Sequence, residues 1–508
     1  MPLFLDYFLQ LWYNSENCLH FSQGVWEVCY LRINHEHSLL QQINRFLYSP
    51  AYFLYLGGLT ILSNVFGMEL IAYTFILLTA LYICLCARDL LPLLPIFACG
   101  YISPSLNNNP GLNNDSIFSL KGGGLYLGAL LAVLAVSLVY RLATDSVFGG
   151  KKFLMKKRSL LSGMLVLSVA YATSGVCSGQ WAEYGWRNLL FSFLQLVAIA
   201  GLYYLFSGTV RWDLAPKAYL FWTGICVGYV LLIELIGIYI KESVIVDGVI
   251  LRERIATGWG HYNSMGALFA MVIPLPFFLT GKGKYAWFAY LSAFLFCLGL
   301  LFTCSRGSIL VGVPIYMATY ILSLIHSRHA RSITWMHIFH GVIIGAPILV
   351  MAIFNDELQR LFQSLPAIGT DISFQMRLDT YVEGFKQFAK FPVFGGSFFP
   401  LKEDLYKWAS DGTTFGYLFP PRWHNTLVQL LATGGVVCLT TYIIHRAQTV
   451  KLFVRDFTGE KLFVGLSIAA MLLTSLVDCH FFNVGPVLLY SAMLAVVEFG
   501  LNKPADKK

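Results

Sequence analysis

Three short polar stretches set an arginine or a histidine against long apolar runs: "TCSRGS" (303–308), "MRLDTY" (376–381) and "RWHN" (422–425). An arginine fork bonds phosphate oxygens in pairs and keeps its charge at physiological pH. A neutral imidazole can take a proton, and neighbouring cations disfavour its charged form. If Arg306 and Arg377 converge on His424, the set suits a phosphate-bearing substrate and removal of a proton from a hydroxyl. Ser305 and Gly307 flank Arg306 with a donor and room for close approach. Tyr381 lies one turn after Arg377, and Arg422, Asn425 and Gln429 surround His424. A fourth stretch, "RERIATGWGHYN" (252–263), adds Arg254 and Asn263. Each has a plainer reading. Arg306 can snorkel from a helix end, Arg377 can be a solvated residue on a surface helix, and His424 beside Trp423 can be an interfacial anchor.

The elements that must position these residues are membrane helices. Hydrophobic residues are 57% of the 508 and charged residues 12%, against roughly 25% charged in soluble domains. Runs of about 20 apolar residues recur, the length that crosses the hydrocarbon core as a helix. The expectation is an all-α, polytopic integral membrane protein of about 12–14 spans. Fourteen candidate helices fall near 46–66, 68–86, 89–103, 123–142, 159–178, 187–207, 217–240, 260–280, 284–304, 306–326, 333–354, 423–444, 461–479 and 482–500. The third is short and carries Pro92 and Pro95, so it either spans or re-enters.

Cytoplasmic loops carry the excess of Lys and Arg. Placing "KKFLMKKR" (151–158) inside also puts "GKGK" (281–284), "SRHAR" (327–331), the 446–461 stretch and both termini inside. The 355–422 connection, Arg254, Arg306 and His424 then face the extracytoplasmic side together. Within that connection, Tyr381, Phe385 and Phe388 follow helical spacing. Lys386 and Lys390 point elsewhere, Pro392 limits the helix, and Gly395–Gly396 make a turn. This predicts an amphipathic helix across the outer mouth of the bundle.

The first residues, "MPLFLDYFLQLWY", hold Asp6 and no basic residue before their apolar part, unlike a signal peptide. Residues 1–45 read as a cytoplasmic or interfacial segment, 46–250 as an N-terminal bundle, 251–500 as the region bearing the polar motifs, and 501–508 as a tail. The eleven cysteines form no disulfide or zinc pattern. No Walker A sequence and no divalent-metal spacing of Asp, Glu and His occurs, so neither a metal nor another cofactor is expected. No nucleic-acid partner is expected either.

Five stretches, "RIATGWGHYNSMGALFAMVIPLPFF", "TCSRGSILVG", "MRLDTYVEGFKQFAKFPVFGG", "HNTLVQLLATGG" and "LLTSLVDCHFF", occur in the order of the O-antigen ligase and polymerase family. The resemblance covers roughly 250–480. It implies a GT-C-like helical glycosyltransferase in the bacterial cytoplasmic membrane, with the lipid bilayer as surroundings and an extracytoplasmic site. Such an enzyme moves a glycan from an undecaprenyl-diphosphate donor to a glycan or glycolipid acceptor, without a metal and with inversion. By motif match, Arg306 and Arg377 bind the diphosphate and His424 is the essential histidine. Asn263 falls where the family usually reads GxFxNPN, and here the stretch is Gly258-Trp259-Gly260-His261-Tyr262-Asn263. A ligase, a polymerase that joins repeat units on the carrier, and a non-enzymatic flippase for lipid-linked sugars all remain open. The absence of an internal repeat and the long outer loop favour an enzyme.

Overall fold

The computed structural model describes residues 39–87, 90–99, 124–148, 160–196, 200–209, 216–241, 244–246, 249–251, 254–257, 260–326, 338, 372–399, 401, 423–455 and 457–501. The expected helix 333–354, the basic cluster 151–158, the segment 1–38, the tail from 502, Arg422 and most of 355–422 lie outside the described residues. The rest is a helical, multi-pass membrane protein. Its first half runs through α1 (Leu39–Leu47), α2 (Pro50–Asn64), α3 (Glu69–Cys86), α4 (Leu93–Cys99), α5 (Gly124–Phe148), α6 (Leu161–Val176), α7 (Trp181–Leu196), α8 (Leu202–Thr209) and α9 (Pro216–Lys241). The second half holds α10 (Tyr262–Val272), α11 (Ala286–Phe302), α12 (Arg306–His326), α13 (Ile372–Lys390), α14 (Thr426–Val454), α15 (Gly459–Thr474) and α16 (Val484–Phe499). Among the described residues, six segments are long and apolar enough to cross a membrane.

Burial grades these spans. Only 11% of the Gly124–Arg141 window is covered by protein, whereas Tyr262–Thr280 is 94% buried. The outer helices therefore turn Leu54, Leu78, Val136 and Val139 outward, as lipid-facing surfaces do. α10 is the central post, packed by α9, α11, α12 and α15. It does not continue as the single helix expected over 260–280. Pro274 and Pro276 supply no N–H, and the chain tightens into a 3-10 stretch over Leu275–Tyr285. Between α9 and α10 stand two small antiparallel pairs. Ile245 faces Ile250 in β1–β2 (Ile245–Val246, Val249–Ile250), and Ala256 faces His261 in β3–β4 (Ala256–Thr257, Gly260–His261). The dipeptide Asp247-Gly248 between β1 and β2 is the hairpin signal that a purely helical reading passed over.

The expected helix 423–444 is also revised. It starts at Thr426, extends to Val454, and breaks at Gly435, whose φ is 62°. A break frees backbone groups that a membrane interior cannot hydrate, so protein must satisfy them. The stretch after α13 does this. Val436 N–H donates to Pro392 O at 2.9 Å, Val437 N–H to Val393 O at 3.3 Å, and Gly396 N–H to Ala432 O at 2.9 Å. A Cβ at Gly435 would meet Val393 O at 2.3 Å, so glycine is required both by conformation and by contact. The same stretch ties to the α6–α7 junction. Gly179 N–H donates to Gly395 O and Gln180 N–H to Gly396 O, while Asn188 Oδ1 accepts from Phe398 N–H at 2.9 Å. Residues of the N-terminal half thus help hold the outer segment in place.

Candidate active site

Among the described residues other than glycine, two have positive φ: Cys304 at 54° and His424 at 50°. Left-handed backbone costs a side-chain-bearing residue about 1–2 kcal/mol, and such outliers cluster at functional sites. One immediately precedes Ser305–Arg306, and the other is the histidine singled out above.

His424 lies one residue before the α14 cap rather than on the helix. Asn425 is the cap, its Oδ1 accepting from Leu427 N–H at 2.8 Å and Val428 N–H at 3.4 Å. Its Nδ2 donates to Leu476 O at 3.0 Å, and Thr426 N–H donates to Ser475 O at 2.9 Å. Those bonds draw the turn between α15 and α16 beneath His424. Gln429 closes the other side, accepting from Trp423 N–H at 3.1 Å and from the Cys479 thiol at 3.5 Å. Trp423 is buried against Val428, Ala432 and Tyr381. It is an internal anchor, not an aromatic at the water interface.

In this frame His424 Nδ1 stands 3.7 Å from Asp478 Oδ1. The carboxylate is nearly buried and is aimed by Cys479 N–H, which donates to Oδ1 at 2.6 Å. The imidazole is 36% exposed, yet Nδ1 itself is buried, so the open edge of the ring carries Nε2. A carboxylate behind one ring nitrogen and access at the other is the arrangement of an oriented base. At 3.7 Å the contact is electrostatic rather than a hydrogen bond.

Arg306 opens α12 directly against this turn. A Cβ at Gly307 would lie 3.0 Å from Val477, the neighbour of Asp478, so the first turn of α12 abuts the turn that carries the carboxylate. Behind it, Ser305 Oγ donates to Asn263 Oδ1 at 2.8 Å and lies 2.9 Å from Ser308 Oγ. Asn483 Nδ2 reaches Ser264 Oγ at 3.0 Å and His480 Nδ1 at 3.1 Å. The N-terminal ends of α10 and α12 and the turn before α16 are therefore laced together by polar side chains.

α13 covers the α14 side. Tyr381 donates from its hydroxyl to His424 O at 3.1 Å, holding the left-handed residue by its carbonyl. Burial raises the Tyr381 phenol above its usual value and the charge of Arg377 opposes that shift, so the group stays a neutral donor. Arg377 and Tyr381 share a face, as their spacing predicts. Phe385 does not join them: it is 49% exposed, and the inward positions are Gly384, Gln387 and Phe388. Gln387 lies beneath, its Nε2 donating to Ser397 O and Ala432 O. Lys386 and Lys390 are exposed, and Lys386 pairs with Glu383 at 2.8 Å.

Of the residues expected from sequence, Asn263 and Ser305 meet each other, and Tyr381 and Asn425 bond around His424. Arg306 and Arg377 occupy the two elements flanking this group. Arg254 stands exposed in the turn between the two hairpins, its N–H on Leu251 O at 2.9 Å. Asp478 was missed, although its signal was present: an acid within "VDCHFFN", a short turn between two apolar runs. Among the described residues, no three His, Cys, Asp or Glu side chains converge as a metal site.

Residues 291–443 match the sequence model of a family described as O-antigen ligase. The chain carries an O-antigen ligase domain. It is accordingly a membrane enzyme of O-antigen or surface-polysaccharide synthesis. A comparison with curated proteins found no match. The ligase match contains Arg306, Arg377 and His424, whereas Asn263 and Asp478 fall on either side of it. α10 and the turn between α15 and α16, which pack against the matched residues, lie outside the O-antigen ligase match.

Proposed function

We propose that this ligase-family protein transfers a glycan from an undecaprenyl-diphosphate carrier to an acceptor hydroxyl, on the extracytoplasmic face of the bacterial cytoplasmic membrane. The observation that carries the reading is the approach of Asp478 to His424 Nδ1 beside the arginine-bearing start of α12. Arg306 and Arg377 hold the diphosphate and neutralise the charge that grows on it as the glycosidic bond breaks. The diphosphate is already a good leaving group, so the remaining need is a base for the acceptor. Nε2 of His424 takes the hydroxyl proton, and Asp478 stabilises the imidazolium that forms. Attack opposite the leaving diphosphate inverts the anomeric centre, and the charge neutralisation rests on arginines rather than on a metal.

Ligation to a distinct acceptor is the preferred reading. Polymerisation on the carrier uses the same donor chemistry at the same residues. Removing the protein from cells and examining lipid-linked glycans separates them: long chains accumulating on the carrier indicate a ligase, single repeat units a polymerase. Unchanged carrier-linked glycans would refute both. In purified protein, His424→Ala should lower transfer by about 10²–10⁴-fold, and wild-type transfer in that variant would remove the histidine from its role.

A further inference from the structure

The turn that carries Asp478 is gripped from two sides. Asn425 and Gln429 hold its outer side, and a buried cation lies on its inner side. Arg446 sits on α14 beyond the Gly435 break, within the span, with its guanidinium enclosed by three aromatic rings. Its Cζ is 4.4 Å from the Tyr442 ring centroid, 4.9 Å from Phe481 and 5.0 Å from Tyr490. Nη1 donates to the Tyr490 hydroxyl at 2.6 Å, and that hydroxyl also lies 2.8 Å from His445 Nε2. Nε and Nη2 are buried with no hydrogen-bond acceptor among the described residues. No carboxylate among the described residues pairs with this arginine.

Burying a charge in a membrane bundle is costly, and an ionisable residue there reads first as functional. The aromatic faces offset part of that cost, because a desolvated cation is drawn to ring faces. A hydrocarbon side chain would fill the same volume without orienting the rings. With the cation present, Phe481 stands edge-on to Tyr442 at 5.3 Å and to Tyr490 at 6.0 Å, and all three rings point at one centre. Phe481 is the third residue after Asp478 and belongs to the one-turn helix His480–Phe482. Its position therefore sets where that turn begins.

We infer that Arg446 is a positioning residue for the reaction: through Phe481 it fixes the 478–483 turn so that Asp478 faces His424 Nδ1. This rests on the proposed transfer function for its catalytic consequence, but not for its structural one. Cys479 is fully buried in the same turn and reports on it independently of activity.

The test uses the full-length protein in membrane vesicles, a water-soluble maleimide and mass-spectrometric mapping of labelled cysteines. Arg446→Met should raise the labelling rate of Cys479 by about tenfold or more and leave Cys226 and Cys297, buried in α9 and α11, unlabelled. In transfer assays with the lipid-linked glycan from the source membranes, kcat should fall while the donor KM holds, since the arginines that bind the diphosphate are untouched. Arg446→Lys keeps the cation and should restore much of both. Tyr490→Phe removes the hydroxyl shared by Nη1 and His445 Nε2 but keeps the ring and the cation, and should give a smaller rise. Unchanged Cys479 labelling in Arg446→Met refutes the inference even if transfer is normal in the wild type. Equal labelling of Cys226, Cys297 and Cys479 also refutes it, because that means general loosening. If Cys479 alone opens but the wild type transfers no glycan, the clamp stands and the proposed function falls.

Discussion

Asp478→Asn keeps the size and shape of the side chain while deleting the charge behind His424. The separation of 3.7 Å gives a Coulomb attraction of about 1 kcal/mol at the dielectric of water and about 4.5 kcal/mol at an effective dielectric of ~20. The carboxylate is nearly buried but the imidazole is 36% exposed, so the value belongs in the lower part of that range. An effect of about 1–2 kcal/mol on the transition state corresponds to a loss in kcat of about 5- to 30-fold. The donor KM should change little, because the charge acts on the imidazolium that forms during proton transfer. The assay is single-turnover transfer with purified wild type, D478N, H424A and the double variant. If Asp478 acts through His424, D478N adds nothing in the H424A background, as expected for residues that work as one unit. Two results would refute the reasoning: D478N within twofold of wild type, or two losses that multiply in the double variant.

Four further outcomes follow from the same geometry. Tyr381→Phe removes the bond to His424 O at 3.1 Å and should lower transfer by a few fold, matching a hydrogen bond of about 0.5–1.5 kcal/mol, with donor KM as the unchanged control. Asn425→Ala loses both the α14 cap and the bond to Leu476 O, so thermal unfolding in detergent should show a loss of about 1–3 kcal/mol together with reduced transfer. Gly435→Ala places a Cβ 2.3 Å from Val393 O at a φ of 62°. It should cost about 2–5 kcal/mol, visible as a lower unfolding temperature, and an unaltered temperature would contradict the broken-helix geometry. Arg306→Lys keeps the charge but loses the planar fork; its donor KM should rise roughly 10- to 100-fold, and an unchanged KM would take Arg306 out of diphosphate binding.

Composition and apolar run length were enough to establish a helical membrane protein, because each span must satisfy its own backbone and advertises itself locally. Arg306, Arg377 and His424 stood out as candidates for a related reason: charged or titratable side chains beside apolar runs contrast with their surroundings. The periodicity of 372–390 also announced an amphipathic helix, but it assigned Phe385 to the wrong face. The choice between one apolar side and the other is made by α14, not by the helix itself.

What the tertiary structure alone decided depends on partners distant in sequence. The break at Gly435 is tolerable because Pro392 and Val393 supply carbonyls, and nothing within 426–454 encodes that supply. His424 takes a left-handed backbone because Tyr381 and the Asn425 cap hold it, which no local preference of histidine would require. Asp478 becomes a partner of His424 only when Asn425 and Thr426 pull residues 475–476 beneath α14. The sequence by itself thus determined which chemical groups the protein owns and which medium surrounds them. The fold decided which of those groups meet, because a contact across 54 residues of chain is set by the packing of whole helices and leaves no trace in the residues between.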